Sequence, residues 1–354
     1  MKNTNYSVIG VMSGTSLDGI DLTLVNFYKS ENRWNYRIEF AETVAYTEDW
    51  KDKLEKASSI NKLELQALDE AYTNYLAEKI RFFIDKNNIG KAIICSHGHT
   101  VLHQPERQIT YQIGNLPSLA KKTGKKVVCD FRVQDVALGG QGAPLVPVGD
   151  ELLFKEFDYC LNLGGFANIS FKKNDERIAF DICPVNTVLN FYAQKFGKEY
   201  DVDGDIARKN KLDENLLQEL NALLFYHLEP PKSLGIEWVQ TEVFPLLEKS
   251  RLSSAIIIAT FTEHVAKQIA NVCENSSTKK MLITGGGAFN KYLISRIQNY
   301  SSVQMVVPES LLIEYKEALL FGFLGVLKIR GEINVLKSVT GAKQDHSSGK
   351  IYLP

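Results

Sequence analysis

Residues Val8–Phe27 read VIGVMSGTSLDGIDLTLVNF, and the fold turns on how this stretch is taken. An apolar run, a turn from Ser13 to Gly19 rich in Gly, Ser, Thr and Asp, and a second, partly alternating run predict two strands joined by a polar turn. Such a turn exposes backbone N–H groups. It carries two carboxylates, Asp18 and Asp21, in and just behind it, so it can hold phosphate and a metal ion. The same residues also suit an ordinary hairpin in which glycine only supplies positive φ.

At 354 residues the chain is too long for one compact core, and two domains are expected. Charged residues at 23%, apolar residues at 44% and a net charge of −1, with no block of Lys or Arg, disfavour a nucleic-acid or anionic-membrane surface. The opening MKNTNYSVIG lacks the apolar core of a secretory signal, and no window approaches the ~20 apolar residues of a membrane span. Cys95, Cys129, Cys160, Cys183 and Cys273 form no CxxC pair and mostly lie in or just after apolar runs. They read as small buried hydrophobes in a reducing compartment, with the cytoplasm the simplest address.

Beyond the opening hairpin, Trp34, Tyr36, Ile38 and Phe40 alternate as a third strand, and Leu65, Leu68, Tyr72, Leu76, Ile80 and Phe83 recur at helical spacing. A short strand at Ala92–Cys95, a polar loop SHGHTVLHQP, a short helix at Ser118–Lys122 and a strand at Lys126–Phe131 complete a βββαβαβ order. Val133–Pro147, rich in Gly and Pro, reads as a linker or active-site loop before a helix near Asp150–Phe157. The pattern then restarts. Strands are expected at Tyr159–Leu163, Asn168–Lys172 and Ile178–Ile182, around a turn at Gly164–Gly165, and helices at about Thr187–Phe196, Asp213–His227 and Ser253–Cys273. A strand at Lys280–Thr284, a triple-glycine turn, a helix from Asn290, a strand at Val303–Val307 and a helix at Leu311–Arg330 follow. The expected domains are 1–150 and 151–354, with a tail from 336 that can return to the first.

Two α/β halves, each opened by a glycine-turn hairpin, can hold a polyphosphate in a shared cleft, and Gly285, Gly286 and Gly287 add a third site of close backbone approach. No P-loop or dinucleotide-binding glycine pattern sits in a strand–turn–helix context. The plan resembles the ATP-binding superfamily of actin, hexokinase and the heat-shock chaperone ATPases, which implies two RNase H-like domains (the actin-like ATPase fold) around an interdomain cleft. Within it, the chain resembles the 1,6-anhydro-N-acetylmuramic acid kinases of bacterial cell-wall recycling. The matching stretches are GVMSGTSLDGID from Gly10, SHG-x-TV-x-H-x-P from Ser96, QIGN from Gln112, DFR-x-x-D from Asp130 and GGQGAPLVP from Gly139. They continue with NLGGFANIS from Asn162, YD-x-DG from Tyr200, PPKS-x-G-x-E from Pro230, GGG-x-x-N from Gly285 and VTGA from Val339.

That resemblance implies a reaction in which water opens the 1,6-anhydro bridge at C1 while O6 takes the γ-phosphate of ATP, with Mg²⁺ as cofactor. A carboxylate must take the water's proton, and the phosphate charge must be neutralised. Asp181 matches the family's catalytic aspartate; the alternative is an Asp that serves the turn or caps the helix near Asn186. Where many members read DTGPGN, this chain has Ile182, Cys183 and Val185. Phosphate binding falls to Gly14, Thr15, Ser16, Gly164 and Gly165. Leu17, Gly19, Ile20 and Asp21 belong to the same nucleotide turn, Asp18 is the Mg²⁺ residue, and Gly285–Gly287 border the adenosine. His97, His99, Arg132, Asp135, Asn186 and Glu317 are expected on the substrate side. For Arg132 and Asp135 the alternative is a surface ion pair; for Glu317 it is an interaction with the helix dipole. The array His97, His99, His103 favours hydrogen bonding over zinc, since no carboxylate motif accompanies it. The resemblance also implies a homodimer. A kinase for a related anhydrosugar such as levoglucosan, and a non-catalytic nucleotide switch, are the alternative functions.

Overall fold

The computed structural model describes residues 5–14 and 16–354. The chain forms two compact units, Met1–Phe154 with Tyr315–Pro354, and Lys155–Glu314. It leaves the first unit after Phe154 rather than 150, and returns to it at Tyr315, inside a helix, rather than with a tail from 336.

In the first unit, β1 (Asn5–Ser13) and β2 (Gly19–Ser30) pair antiparallel with Ser13 opposite Ile20, and β3 (Arg33–Ala45) runs antiparallel beyond β2. On the other side of β1, β4 (Ile93–Gln104) is parallel, β5 (Ile109–Ile113) folds back on its far half, and β6 (Val127–Cys129) lies parallel to its near half. Both faces of β1 are covered, which is why Val8, Ile9 and Val11 form a nearly continuous apolar run. One face is packed by the helix Lys62–Lys86, started by a capping box between Asn61 and Glu64, whose Tyr72, Leu76, Ile80 and Phe83 point inward. The helix Ser310–Arg330 lies against β1 so closely that a Cβ on Gly10 would collide with the Ala318 carbonyl oxygen.

The stretch SHGHTVLHQP, expected as a loop, instead continues β4 as far as Gln104, with His99 opposite Ile113 and Thr100 opposite Gln112. Its polar residues misled because a partner strand, not an apolar face, fixes it. The helix Glu48–Lys56 and β5 were also absent from the expected order, and the expected linker Val133–Pro147 contains a short helix, Val133–Ala137.

The second unit repeats the plan. The strands β7 (Tyr159–Leu163), β8 (Phe166–Lys173) and β9 (Glu176–Pro184) form an antiparallel meander, and β10 (Lys280–Thr284) and β11 (Gln304–Val306) extend it parallel on the β7 side. Its core gathers β-sheet residues such as Leu161 and Ile169 with Ile257, Phe261, Val265 and Ile269 of the helix Ser254–Val272. The segment expected as one helix to His227 breaks after Asn221 and resumes as a 3₁₀ turn, Leu224–His227. Last, β12 (Lys350–Tyr352) adds antiparallel to β6 in the first unit. Each sheet thus runs third, second, first, fourth, fifth core strand, three antiparallel and two parallel. These are two RNase H-like domains.

Candidate active site

The β1–β2 turn divides into an open part and a sheet part. Thr15 lies outside the described residues. Ser16 and Asp18 are exposed, Leu17 takes a left-handed φ of 60°, and Gly14 has room for nothing closer than Ser16 Oγ at 3.5 Å from an added Cβ. Gly19, by contrast, opens β2, and a Cβ there would come within 2.5 Å of the Val44 carbonyl oxygen. Ile20 is fully buried in the core, and Asp21 accepts a 2.6 Å hydrogen bond from Thr43 Oγ1. Of the residues expected at the nucleotide, Gly19, Ile20 and Asp21 therefore shape the hairpin through the sheet, leaving Gly14, Ser16, Leu17 and Asp18 as its open rim.

Beneath that rim runs a buried chain of hydrogen bonds. Ser13 Oγ lies 2.9 Å from His99 Nδ1 and 2.7 Å from Tyr46 OH, which lies 2.5 Å from Tyr72 OH. Burial pushes His99 down to about 4 and Tyr46 up to about 12, so the chain is uncharged at neutral pH. It ties the last residue of β1 to the helix Lys62–Lys86. His99, expected at the sugar, serves this buried chain; Tyr46 and Tyr72 carried no motif by which sequence could have found them.

His97 holds Arg132. Its Nδ1–H donates to the Gly98 carbonyl at 2.8 Å, so its Nε2 is free to accept from Arg132 Nε at 2.9 Å. Burial and the neighbouring guanidinium keep this imidazole neutral, with its pKa well below the usual value. Arg132 Nη1 donates to the Gly142 carbonyl at 2.6 Å. Burial lowers Arg132 to about 10, against the opposing charges of Glu317 and Asp135, and it remains a cation at neutral pH. Glu317 is reached by solvent but crowded by protein on its remaining sides, which raises its carboxyl pKa; Arg132 and Lys316 pull it back. Lys316 is itself in a buried ion pair with Asp150 at 2.7 Å.

Asp135 belongs to neither expected setting. It is fully buried, and its carboxylate accepts from the Gly142 N–H at 2.6 Å and from Thr340 Oγ1 at 2.7 Å. It pins the GGQGAP loop to the VTGA turn, so it is neither a sugar contact nor a surface ion pair. His103 lies beside the GGQGAP loop and is 3.1 Å from Thr110 Oγ1; burial and the Arg132 charge lower its pKa. Among the described residues no group of three His, Cys, Asp or Glu is placed to hold a metal ion.

In the second unit Asp181 sits on β9 opposite Asn168, half-buried. The PPKSLG loop grips it twice: its N–H donates to the Lys232 carbonyl at 3.1 Å, and its Oδ2 accepts from the Leu234 N–H at 2.8 Å. Burial raises the carboxyl pKa, and the Leu234 bond offsets part of that rise. The helix Asn186–Gln194 has no side-chain cap, so Asp181 does not serve as one. Ile182, Cys183 and Val185, which depart from the usual family turn, are all buried in the core.

The two glycine turns of this unit meet at Asn186. Gly164 spends its N–H on the Phe166 carbonyl at 3.2 Å, and Gly165 is the exposed member of the pair. The Gly165 carbonyl accepts from Val185 N–H, Thr187 N–H and Thr187 Oγ1, fixing the turn to the helix start. Asn186 Nδ2 donates to the Leu163 carbonyl at 3.1 Å, and its position is scaffold as much as site. At the triple glycine, a Cβ on Gly285 or Gly287 would meet Asn162 Oδ1 at 2.6 Å or Leu163 Cβ at 2.8 Å. On the exposed Gly286 it would meet nothing nearer than Asn186 Nδ2 at 3.8 Å. Two of the three glycines are therefore needed by packing, and Gly286 alone leaves open backbone for a ligand.

The anhydro-N-acetylmuramic acid kinase family profile matches residues 6–354. Curated anhydro-N-acetylmuramic acid kinases of Haemophilus influenzae and Hydrogenovibrio crunogenus are 34% and 32% identical to the chain, covering 99% and 98% of it and 98% of each relative. A solved dehydratase activator from Clostridium difficile aligns over 92% of the chain with a TM-score of 0.41 and 12% identity, too loose a likeness to carry weight. With a duplicated RNase H-like plan, a gripped aspartate on β9 and full-length relatives of one kind, the chain belongs to the anhydro-N-acetylmuramic acid kinase family.

Proposed function

We propose that the protein opens 1,6-anhydro-N-acetylmuramic acid with water and phosphorylates O6 from ATP, giving N-acetylmuramic acid 6-phosphate in peptidoglycan recycling. Asp181 carries the reading. A half-buried carboxylate with a raised pKa, one oxygen fixed by the Leu234 N–H, is a stronger base than a free aspartate and is held in one orientation. It takes a proton from water as the water oxygen bonds to C1. The C1–O6 bond breaks, O6 bonds to the γ-phosphorus, and ADP leaves.

Gly14, Ser16 and Gly165 offer donors to the phosphates, and Gly286 borders the adenosine. Asp18, an exposed carboxylate on the turn, suits an ion that keeps most of its water; bound Mg²⁺ neutralises phosphate charge. Arg132, with two of its donor atoms already fixed, presents a cation on the substrate side beside Glu317. The protein acts in the cytoplasm as a homodimer on this reading; no described helix is long and apolar enough to cross a membrane. The test is ADP release measured with anhydrosugars bearing or lacking the N-acetyl and lactyl groups, levoglucosan included. Turnover that does not depend on sugar, or full activity in Asp181→Asn, would sink the proposal.

A further inference from the structure

The second unit holds a pocket of about 570 Å³ that the reaction above does not use. Its walls include Asn221, Tyr226, Lys232, Lys267, Gln268 and Asn271, and no carboxylate lines it. Two lysines give it positive charge, and the carboxamides can both donate to and accept from hydroxyl groups. The Tyr226 hydroxyl is buried there with no hydrogen-bond partner. Behind it, His264 is wholly buried and uses Nδ1–H to donate to Asn221 Oδ1 at 2.7 Å, leaving Nε2 as an acceptor without a donor. A buried polar atom left without a partner is costly, so this wall is not satisfied from within the fold.

We infer that this pocket binds a small phosphorylated polyol, with Lys232 and Lys267 on the phosphate and the carboxamides on the hydroxyls. The site is wired to β9. Ile182 lines it, and Lys232 is the residue whose carbonyl takes the Asp181 N–H. Successive strand side chains point to opposite faces, so Ile182 and Asp181 report to opposite sides of one strand. Occupancy thereby bears on the loop that holds Asp181, and this consequence for catalysis rests on the role proposed for Asp181. Binding itself does not, so its measurement stands whether or not the kinase reading holds.

Trp238 packs against Tyr226 with ring centroids 5.9 Å apart, and Trp34 and Trp50 are both in the first unit, so tryptophan emission supplies a local reporter. The full-length protein is titrated with glucose 6-phosphate, inorganic phosphate and glucose. The expected result is saturable quenching by glucose 6-phosphate, weaker response to phosphate and least to glucose. Lys267→Met should weaken binding at least tenfold, and Lys267→Arg should retain it. Three outcomes would overturn the inference: no saturable response in the millimolar range, binding indifferent to Lys267→Met, or displacement of the sugar phosphate by ATP.

Discussion

Replacing Asp135 separates a scaffold residue from a sugar contact. Its carboxylate takes hydrogen bonds from the Gly142 N–H and Thr340 Oγ1, all within a buried setting, with His346 Nε2 3.6 Å away. Bonds to a charged acceptor are worth about 1.5–3 kcal/mol each, and Asp135→Ala removes both while leaving a buried N–H unpaired. The expected loss is ~3–5 kcal/mol in the first unit, or ~10 °C in its melting temperature at roughly 2–4 °C per kcal/mol for a domain of this size. Asp135→Asn is milder, at ~1–2 kcal/mol: its amide oxygen can take the Gly142 N–H, and its NH₂ can donate to the Thr340 hydroxyl. Urea unfolding followed by tryptophan emission, run beside sugar-dependent turnover of the folded protein, reads both effects. If Asp135→Ala stays within ~1 kcal/mol of wild type and only the KM for sugar rises, the pinning argument is wrong.

Asp181→Asn should lower sugar-dependent kcat by ~10²–10⁴-fold with little change in melting temperature, because its amide oxygen can still accept from Leu234. Its raised pKa means the native state binds more protons than the unfolded one above the usual carboxylate range. Stability should therefore fall slightly as pH rises through that range, the acid limb of kcat/KM should lie above that of a free aspartate, and Asp181→Asn should abolish the stability slope. His99 works in the opposite sense: its pKa drops from 6.5 to about 4, so the unfolded state takes up protons first as pH falls between those values, and stability is lost there. His99→Gln, a neutral partner for Ser13, should flatten that part of a stability-versus-pH curve. Gly287→Ala should destabilise the second unit by ~1–3 kcal/mol through contact with Leu163, whereas Gly286→Ala should fold normally and weaken binding of an ATP analogue, as calorimetry can show.

Apolar runs and glycine turns made the sheets legible. The hairpin Val8–Phe27, the restart at Tyr159 and the helices at Leu65–Phe83 and Ser253–Cys273 all rest on burial patterns that the chain writes locally. The outer half of β4 was not legible, because its histidines and threonine are held by pairing with β5, a contact that local composition does not encode. The site divides the same way. Asp181 stood out by motif, but its partner, the Leu234 N–H, is a backbone group fifty-three positions away and has no sequence signature. Asp135 and His99 read as substrate contacts because carboxylates and imidazoles usually reach the surface; their burial follows from Thr340, Ser13 and Tyr46, each distant in the chain.

The return of the chain to its first unit sets an order of events during synthesis. Lys155–Glu314 is one uninterrupted segment and has all five of its strands once Val306 has left the ribosome. The first unit begins earlier but finishes later: the helix portion from Tyr315 that covers β1, the Asn334 side chain that bonds to the carbonyls of Leu324 and Ser348, the Ser348 hydroxyl that reaches the Phe131 carbonyl, and β12 beside β6 are all made last. Until then the apolar strand at Gly10 lacks its cover and is the part of a nascent chain most exposed to misassociation. A stop codon shortly after Glu314 would spare the second unit and cost the first, although the first was translated long before.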